Sequence, residues 1–392
     1  MQPAQIDALA RTGVSALKER NGAAARDAFE KIIAAGGATP PIWVLLAQAC
    51  RLAGDANAEK VAIEQALALE PANLHGLLMK GDWFSRAGDE RAAVAFYRVA
   101  LATASAAPSV PTGLIPDLER AEAITQRVAR QYEEYLERRL ADAGFPTGTR
   151  DPRVEEALAI MTERKQVYLQ QPTNFFFPGL PHRQFYERAE FSWLPGLEAA
   201  APVMQAELEA LLQDRTVTLG PYVEVPRDRP YNRGHTMLNN PDWAAFHIWQ
   251  NGALVPEAAA RCPRTVEALR GAPIPQIRTR SPMALFSVLR SGTHIPAHNG
   301  MLNTRLICHI PLIVPPNCRL RVGNDIRPVK AGKALIFDDS IEHEAWNDSE
   351  ETRVVLLFEI WRPELSQSER DALTVIFEAI NAHGGGASGS AN

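Results

Sequence analysis

At 392 residues the chain exceeds the size at which one hydrophobic core usually stops growing, so it is read as more than one domain. With 46% hydrophobic and 22% charged residues it has an ordinary globular composition, which excludes low-complexity and collagen-like chains. A formal net charge of -5 without a Lys/Arg stripe removes the electrostatic case for nucleic-acid binding.

The longest apolar stretches, such as Ala284 to Leu289 and Val354 to Ile360, fall far short of the ~20 residues that a spanning helix needs. Met1 to Arg20 alternates charges with Ala and Leu, unlike a signal peptide, so a cytoplasmic protein without a membrane anchor is expected. Cys50, Cys262, Cys308 and Cys318 show no CxxC spacing and are read as reduced, buried thiols.

From Ala8 to Ala106 the sequence is Ala/Leu-rich and helical. Gly-centred turns at Asn21-Gly22, Gly54-Asp55 and Gly88-Asp89 recur at about 34 residues, the period of a helix-turn-helix repeat. An apolar helix follows each turn, as in Ala28, Phe29, Ile32 and Ile33. With the Leu69-Glu70-Pro71 ending of the second unit, residues 1–106 resemble tetratricopeptide (TPR) repeats, a short solenoid able to hold a protein or peptide. Bracing the next domain or mediating dimerisation remain alternatives for these helices.

Ala102 to Gly113 reads as a linker, and helical spacing resumes over Leu118 to Ala143 and Arg153 to Leu169; residues 107–172 are taken as linker and bridging helices. From Phe175 the pattern changes to short Val/Ile/Leu/Phe runs between Pro, Gly, Asn and Asp, an all-β signature. Strands are expected at Ala284–Arg290, Arg305–Val314, Arg319–Val322, Ala334–Phe337 and Arg353–Trp361, flanked by helices at Leu194–Leu212 and Glu364–Ala382. The β domain is set at 173–383 and a Gly/Ser/Ala-rich flexible tail at 384–392.

His298 falls in a loop between strands and His343 just after another strand. Neutral imidazoles are favoured iron ligands, and two histidines far apart in sequence can converge in a rolled sheet. Asp338 and Asp339 are read as turn residues rather than a catalytic carboxylate pair. No GxSxG elbow, P-loop or GxGxxG supports a serine hydrolase, NTPase or Rossmann enzyme.

The setting of these histidines is more specific. Ser291-Gly292-Thr293-His294, Pro296-Ala297-His298, the run Leu335 to Ile341 leading to Glu342-His343-Glu344, and Trp361-Arg362-Pro363-Glu364-Leu365 resemble the aspartyl/asparaginyl β-hydroxylase family. A weaker echo covers Phe177-Pro178-Gly179-Leu180 and Phe246-His247-Ile248-Trp249-Gln250, so the likeness runs from about Phe175 to Leu365.

The resemblance implies a multidomain α + β protein, in which the TPR-like solenoid precedes a double-stranded β-helix (jelly-roll, cupin-like) oxygenase domain. It implies a dioxygenase that uses Fe(II), 2-oxoglutarate and O2 to hydroxylate an unactivated C–H bond. His298 and His343 match the two metal ligands, and the carboxylate usual in related oxygenases is replaced by Gly300, as the family pattern has it. Arg353 and Ser287 match the residues that hold the cosubstrate, an arginine fork suiting a carboxylate. His309, on one strand face with Arg305 and Ile307, matches a histidine near the cosubstrate, and Trp249 an aromatic there.

Two departures bear on substrate. Ile307 stands where the animal enzymes have an arginine near the substrate carboxylate, and only Cys262 represents a pair of cysteines flanking a short loop in those enzymes. The expected substrate is an Asp or Asn β-carbon in a protein or peptide. A small molecule, free amino acid or lipid acyl chain is the enzymatic alternative, and a non-catalytic TPR scaffold with a degenerate β domain is the alternative of another class.

Overall fold

The structure, a computed structural model, describes residues 2–224 and 237–383, so the expected tail at 384–392 lies outside the described residues. The chain divides into two compact units between Thr162 and Glu163.

The first unit is helical: α1 (Pro3–Lys18), α2 (Gly22–Ala34), α3 (Pro40–Leu52), α4 (Ala56–Leu69), α5 (Leu74–Arg86), α6 (Glu90–Ala106), α7 (Ile115–Asp142) and α8 (Pro152–Met161). Helices α1 to α6 pack in sequence as a TPR-like solenoid. The second helix of each pair starts on a side-chain cap, Asn21, Asp55 or Asp89, whose oxygen accepts the N–H of Ala24, Ala58 or Ala92. These caps, equally spaced at about 34 residues, carry the repeat.

The glycines of the expected turns are not equivalent. Gly54 and Gly88 take the left-handed conformation just before the cap (φ 76 and 81), a position that Arg20 fills in the first repeat (φ 57). Gly22 instead opens α2, where an added β-carbon would lie 2.6 Å from the Ala53 nitrogen. Within the pairs, the Phe29 ring lies on Gly13 and the Tyr97 ring on Gly81.

The stretch expected as linker is partly helical, because α6 runs to Ala106. Helix α7 packs on α6 through Leu118, Ala121 and Ile124, and closes the apolar cluster of the third repeat. The helix expected to reach Leu169 ends at Met161, where Glu163 adopts a left-handed φ of 60.

The second unit contains β1 (Phe185–Tyr186), β2 (Gly220–Pro221), β3 (Trp243–Gln250), β4 (Ala253–Leu254), β5 (Ala284–Leu289), β6 (His294–His298), β7 (Arg305–Ile313), β8 (Cys318–Val322), β9 (Asp325–Pro328), β10 (Leu335–Phe337), β11 (His343–Asn347) and β12 (Arg353–Trp361). Its helices are α9 (Leu194–Ala199), α10 (Ala201–Gln213), α11 (Pro256–Arg261), α12 (Pro263–Leu269) and α13 (Gln367–His383). The single helix expected over Leu194–Leu212 is two, since Pro202 in the first turn of α10 has no N–H to continue the ladder.

The strands form two antiparallel sheets, an eight-stranded one ordered β1-β10-β7-β12-β5-β3-β2 with β4 on β3, and a four-stranded one ordered β6-β11-β8-β9. This is the double-stranded β-helix. Alternation along the large sheet sends Phe286, Cys308, Ile310, Leu356 and Phe358 towards a core shared with α9, α10 and α12. Leu285, Ile307, Val355 and Leu357 point the other way and meet Ile295, Leu320 and Ala345 of the small sheet. Both faces are thus buried, which is why these strands read as nearly continuous apolar runs. The polar residues on the face between the sheets build the site.

Candidate active site

His298 ends β6 and His343 begins β11; they are cross-strand partners, with ring centroids 4.1 Å apart. Both are therefore strand-terminal residues rather than the loop residues expected. Between Ile295 and His298 the ladder carries an extra residue, because Ala345 pairs Ile295 while His343 pairs His298. That bulge turns Ile295 and His298 to the same interior, which strict alternation forbids for residues three apart.

Each ring is oriented by its own backbone. His298 Nδ1 lies 2.8 Å from the Pro296 carbonyl and His343 Nδ1 3.1 Å from that of Ile341. A carbonyl only accepts, so Nδ1–H donates in both, which leaves Nε2 as the atom through which each ring could ligate a metal. Burial, then the neighbouring His298, holds the His343 imidazole well below its usual range, so it stays neutral. Among the described residues no cluster of three His, Cys, Asp or Glu is suited to a metal, and the pair stands as a two-histidine set.

The pair opens on a cavity of about 540 Å³ that also receives Ser287, Arg353, His309, Trp243, Tyr222, Arg305 and Asp339. Arg353 is 1% exposed, yet its Nε and Nη1 have no hydrogen-bond partner among the described residues. Burial lowers its guanidinium to about 10. A buried cation left unpaired is costly unless an anion meets it. Ser287 Oγ accepts from the Trp243 indole at 3.1 Å, which leaves its own proton to donate into the cavity. The Tyr222 ring stacks on Trp243 at 4.0 Å. His309 is pushed down to about 3 by burial and by Arg353, so it is neutral here.

The tryptophan at the cavity is Trp243 and not the expected Trp249. Trp249 does not line the cavity and packs on the helix-side core, while Trp243 faces Ser287. Equal parity would put both on one face, but a bulge between His247 and Trp249 reverses the strand's facing. Strand parity from Ala245 would have found Trp243.

A second polar group lies beside Gly300. Arg305 Nη1 is 2.6 Å from Glu359 Oε2 and its Nη2 is 3.3 Å from Asp339 Oδ2. Burial raises Asp339 to about 6, against the pull of Arg305. Arg305 was visible as a strand neighbour of His309, whereas the place of Asp339 depends on the backbone bond from Gly300 N to its carbonyl at 2.6 Å.

Residues 198–363 match the sequence model of the aspartyl/asparaginyl beta-hydroxylase family. That match falls within the β unit. The chain is 36% identical over 193 residues to the ornithine lipid ester-linked acyl 2-hydroxylase of Rhizobium tropici, covering 48% of this chain and 64% of that protein. It is 35% identical over 136 residues to the aspartyl/asparaginyl beta-hydroxylase of Homo sapiens, covering 34% of this chain and 18% of that protein. Homo sapiens aspartate beta-hydroxylase domain-containing protein 2 is 29% identical over 262 residues, 65% of this chain and 67% of that protein. The chain thus spans less than two thirds of the first two hydroxylases. No helix among the described residues is long and apolar enough to cross a membrane.

Proposed function

We propose that the protein is an Fe(II)- and 2-oxoglutarate-dependent dioxygenase that hydroxylates an amino-acid side chain, at the β-carbon of Asp or Asn in a protein or peptide. The observation that carries this reading is the single cavity shared by two backbone-oriented histidines and a buried arginine whose Nε and Nη1 have no partner among the described residues. The histidines fit iron through their Nε2 atoms, a common donor type for non-haem Fe(II). Arg353 and the Ser287 proton fit one carboxylate of a small dianion, a charge-assisted fork that satisfies the guanidinium.

When bound, iron and 2-oxoglutarate supply O2 activation, with one oxygen atom going to the substrate C–H and the other to succinate as CO2 leaves. The chain's own residues orient and enclose. Trp243 fixes Ser287, His309 stays uncharged beside Arg353, and Leu320, Phe337 and Leu357 give the cavity an apolar wall.

The similarity to the Rhizobium tropici enzyme favours a second reading, hydroxylation of an ester-linked acyl chain. The test is succinate formation by the full chain with Fe(II) and 2-oxoglutarate, compared with His298→Ala, His343→Ala and Arg353→Met. Peptide and lipid pools are then searched for products heavier by one oxygen atom. Wild-type protein that binds no Fe(II) and forms no succinate would sink the oxygenase reading.

A further inference from the structure

The turn that joins β10 of the large sheet to β11 of the small one is built around the carboxylate of Asp338, which is fully buried. Its Oδ1 accepts from the Ser340 backbone N–H at 3.0 Å and from the Ser340 hydroxyl at 2.6 Å. Its Oδ2 accepts from Gln170 Nε2 and from Arg362 Nη1, both at 2.7 Å. Four donors on two oxygens fill the acceptor capacity of a carboxylate. Arg362 is fully buried too, and is itself held by the Asn303 and Pro181 carbonyls and the Tyr186 hydroxyl. Neither Asp338 nor Arg362 lines the cavity of the histidine pair.

The turn nevertheless reaches both histidines. The Ile341 N–H closes it on the Asp338 carbonyl at 3.2 Å, and its next three carbonyls are then spent on the site. That of Asp339 accepts from Gly300 N at 2.6 Å, that of Ser340 from Asn299 Nδ2 at 2.9 Å, and that of Ile341 from His343 Nδ1 at 3.1 Å. Asn299 and Gly300 directly follow His298, so one turn holds the chain beside His298 and the ring of His343.

A buried ion pair adds little net stability, because desolvation offsets the attraction, and its better-attested use is to select one arrangement. That use matters more with two ligands than with three. Three side chains locate a metal largely by their own coordination, whereas two rings depend on the bonds that orient them.

We propose that Asp338, fixed by Arg362, is a positioning residue for the metal: it touches neither ring, and through its turn it holds His298 and His343 in the mutual placement from which one ion takes both. The inference rests on the reading of the histidine pair as an iron site and adds the residues that maintain it.

The test uses the full chain without O2 and with Co(II) as the probe, whose visible absorption reports occupancy and coordination geometry without turnover. Asp338→Asn keeps the shape of the side chain, but its NH2 group must meet either the Arg362 and Gln170 donors or those of Ser340. Ser340→Ala removes one donor and leaves the ion pair in place. Leu208→Ala, in the core on the helix side of the large sheet, is the control for lost packing alone. Titrations are run at a temperature where circular dichroism shows each protein folded. The Co(II) Kd is expected to rise roughly 10- to 100-fold in Asp338→Asn and several-fold in Ser340→Ala, with a changed band shape, while Leu208→Ala stays within about twofold of wild type.

If Asp338→Asn does not fold, Ser340→Ala decides alone. Wild-type affinity and band shape in the folded turn variants, or an equal loss in Leu208→Ala, would overturn the proposal. Wild type that takes up no Co(II) would overturn the metal reading as well, and is thereby distinguishable.

Discussion

The carboxylate of Asp339 fills the space that a side chain at Gly300 would need: a β-carbon built on Gly300 would lie 2.1 Å from Asp339 Oδ2 and 2.3 Å from its Cγ. Packing therefore excludes a third ligand at this position. Gly300→Asp is expected to lose Fe(II) affinity rather than gain a ligand, and Gly300→Ala to destabilise the β unit by about 1–3 kcal/mol through overpacking. Asp339→Gly also removes a partner of Arg305, so combined with Gly300→Ala it should cost less than the two single losses added together. Urea unfolding of the two single variants and the double variant measures the coupling; additive losses would show that the two side chains do not compete for one space.

Arg353 presents the opposite case, in which a residue of the site costs the fold. Two of its three guanidinium nitrogens are buried without partners among the described residues, so Arg353→Met removes a poorly paired charge and keeps the stem volume. Without ligands the variant is expected to match wild type or exceed it by about 1–3 kcal/mol. Added 2-oxoglutarate should stabilise wild type alone, and turnover should fall by roughly a hundredfold or more. Thermal melts with and without 2-oxoglutarate check both halves. A less stable variant that still responds to the cosubstrate would count against this role.

The two tryptophans of β3 separate the cavity face from the outer face. Trp243→Phe removes the indole N–H that orients Ser287, and should raise the KM for 2-oxoglutarate several-fold with a smaller effect on kcat. Trp249→Phe, on the helix side of the bulge, should cost packing without moving that KM. Steady-state succinate assays at varied 2-oxoglutarate decide it, and equal KM shifts would contradict the facing seen here.

What was legible in the sequence follows from what is periodic or matches the family's phrases. Alternation along β7 set His309 on one face with Arg305 and Ile307, Ser287 and Arg353 were read from the resemblance, and each lines the cavity. The helical period placed the repeats, although the regular signal lay in the caps Asn21, Asp55 and Asp89 and not in the glycines beside them. Bulges were not legible. One inserted residue reversed Trp249, and another aligned His298 with Ile295. The pairing of Asp339 with Gly300 was hidden for a different reason, since it is made by contact between distant loops and leaves no local pattern.

His309 gives the β unit a pH dependence of definite sign. Its imidazole titrates near 6.5 in the unfolded chain and is pushed down to about 3 in the fold. Between these values the unfolded state binds a proton that the native state does not. The contribution is therefore fully present above pH 6.5 and is lost as pH falls, by up to about 1.4 kcal/mol per unit. His309→Gln removes this term and leaves the other titrating groups in place. Unfolding free energies of both proteins at pH 7.5 and 5.5 should show wild type losing roughly 1 kcal/mol more than the variant over that interval. Parallel losses would mean that the native imidazole accepts a proton near its ordinary pH, and with it that His309 is not held neutral beside Arg353.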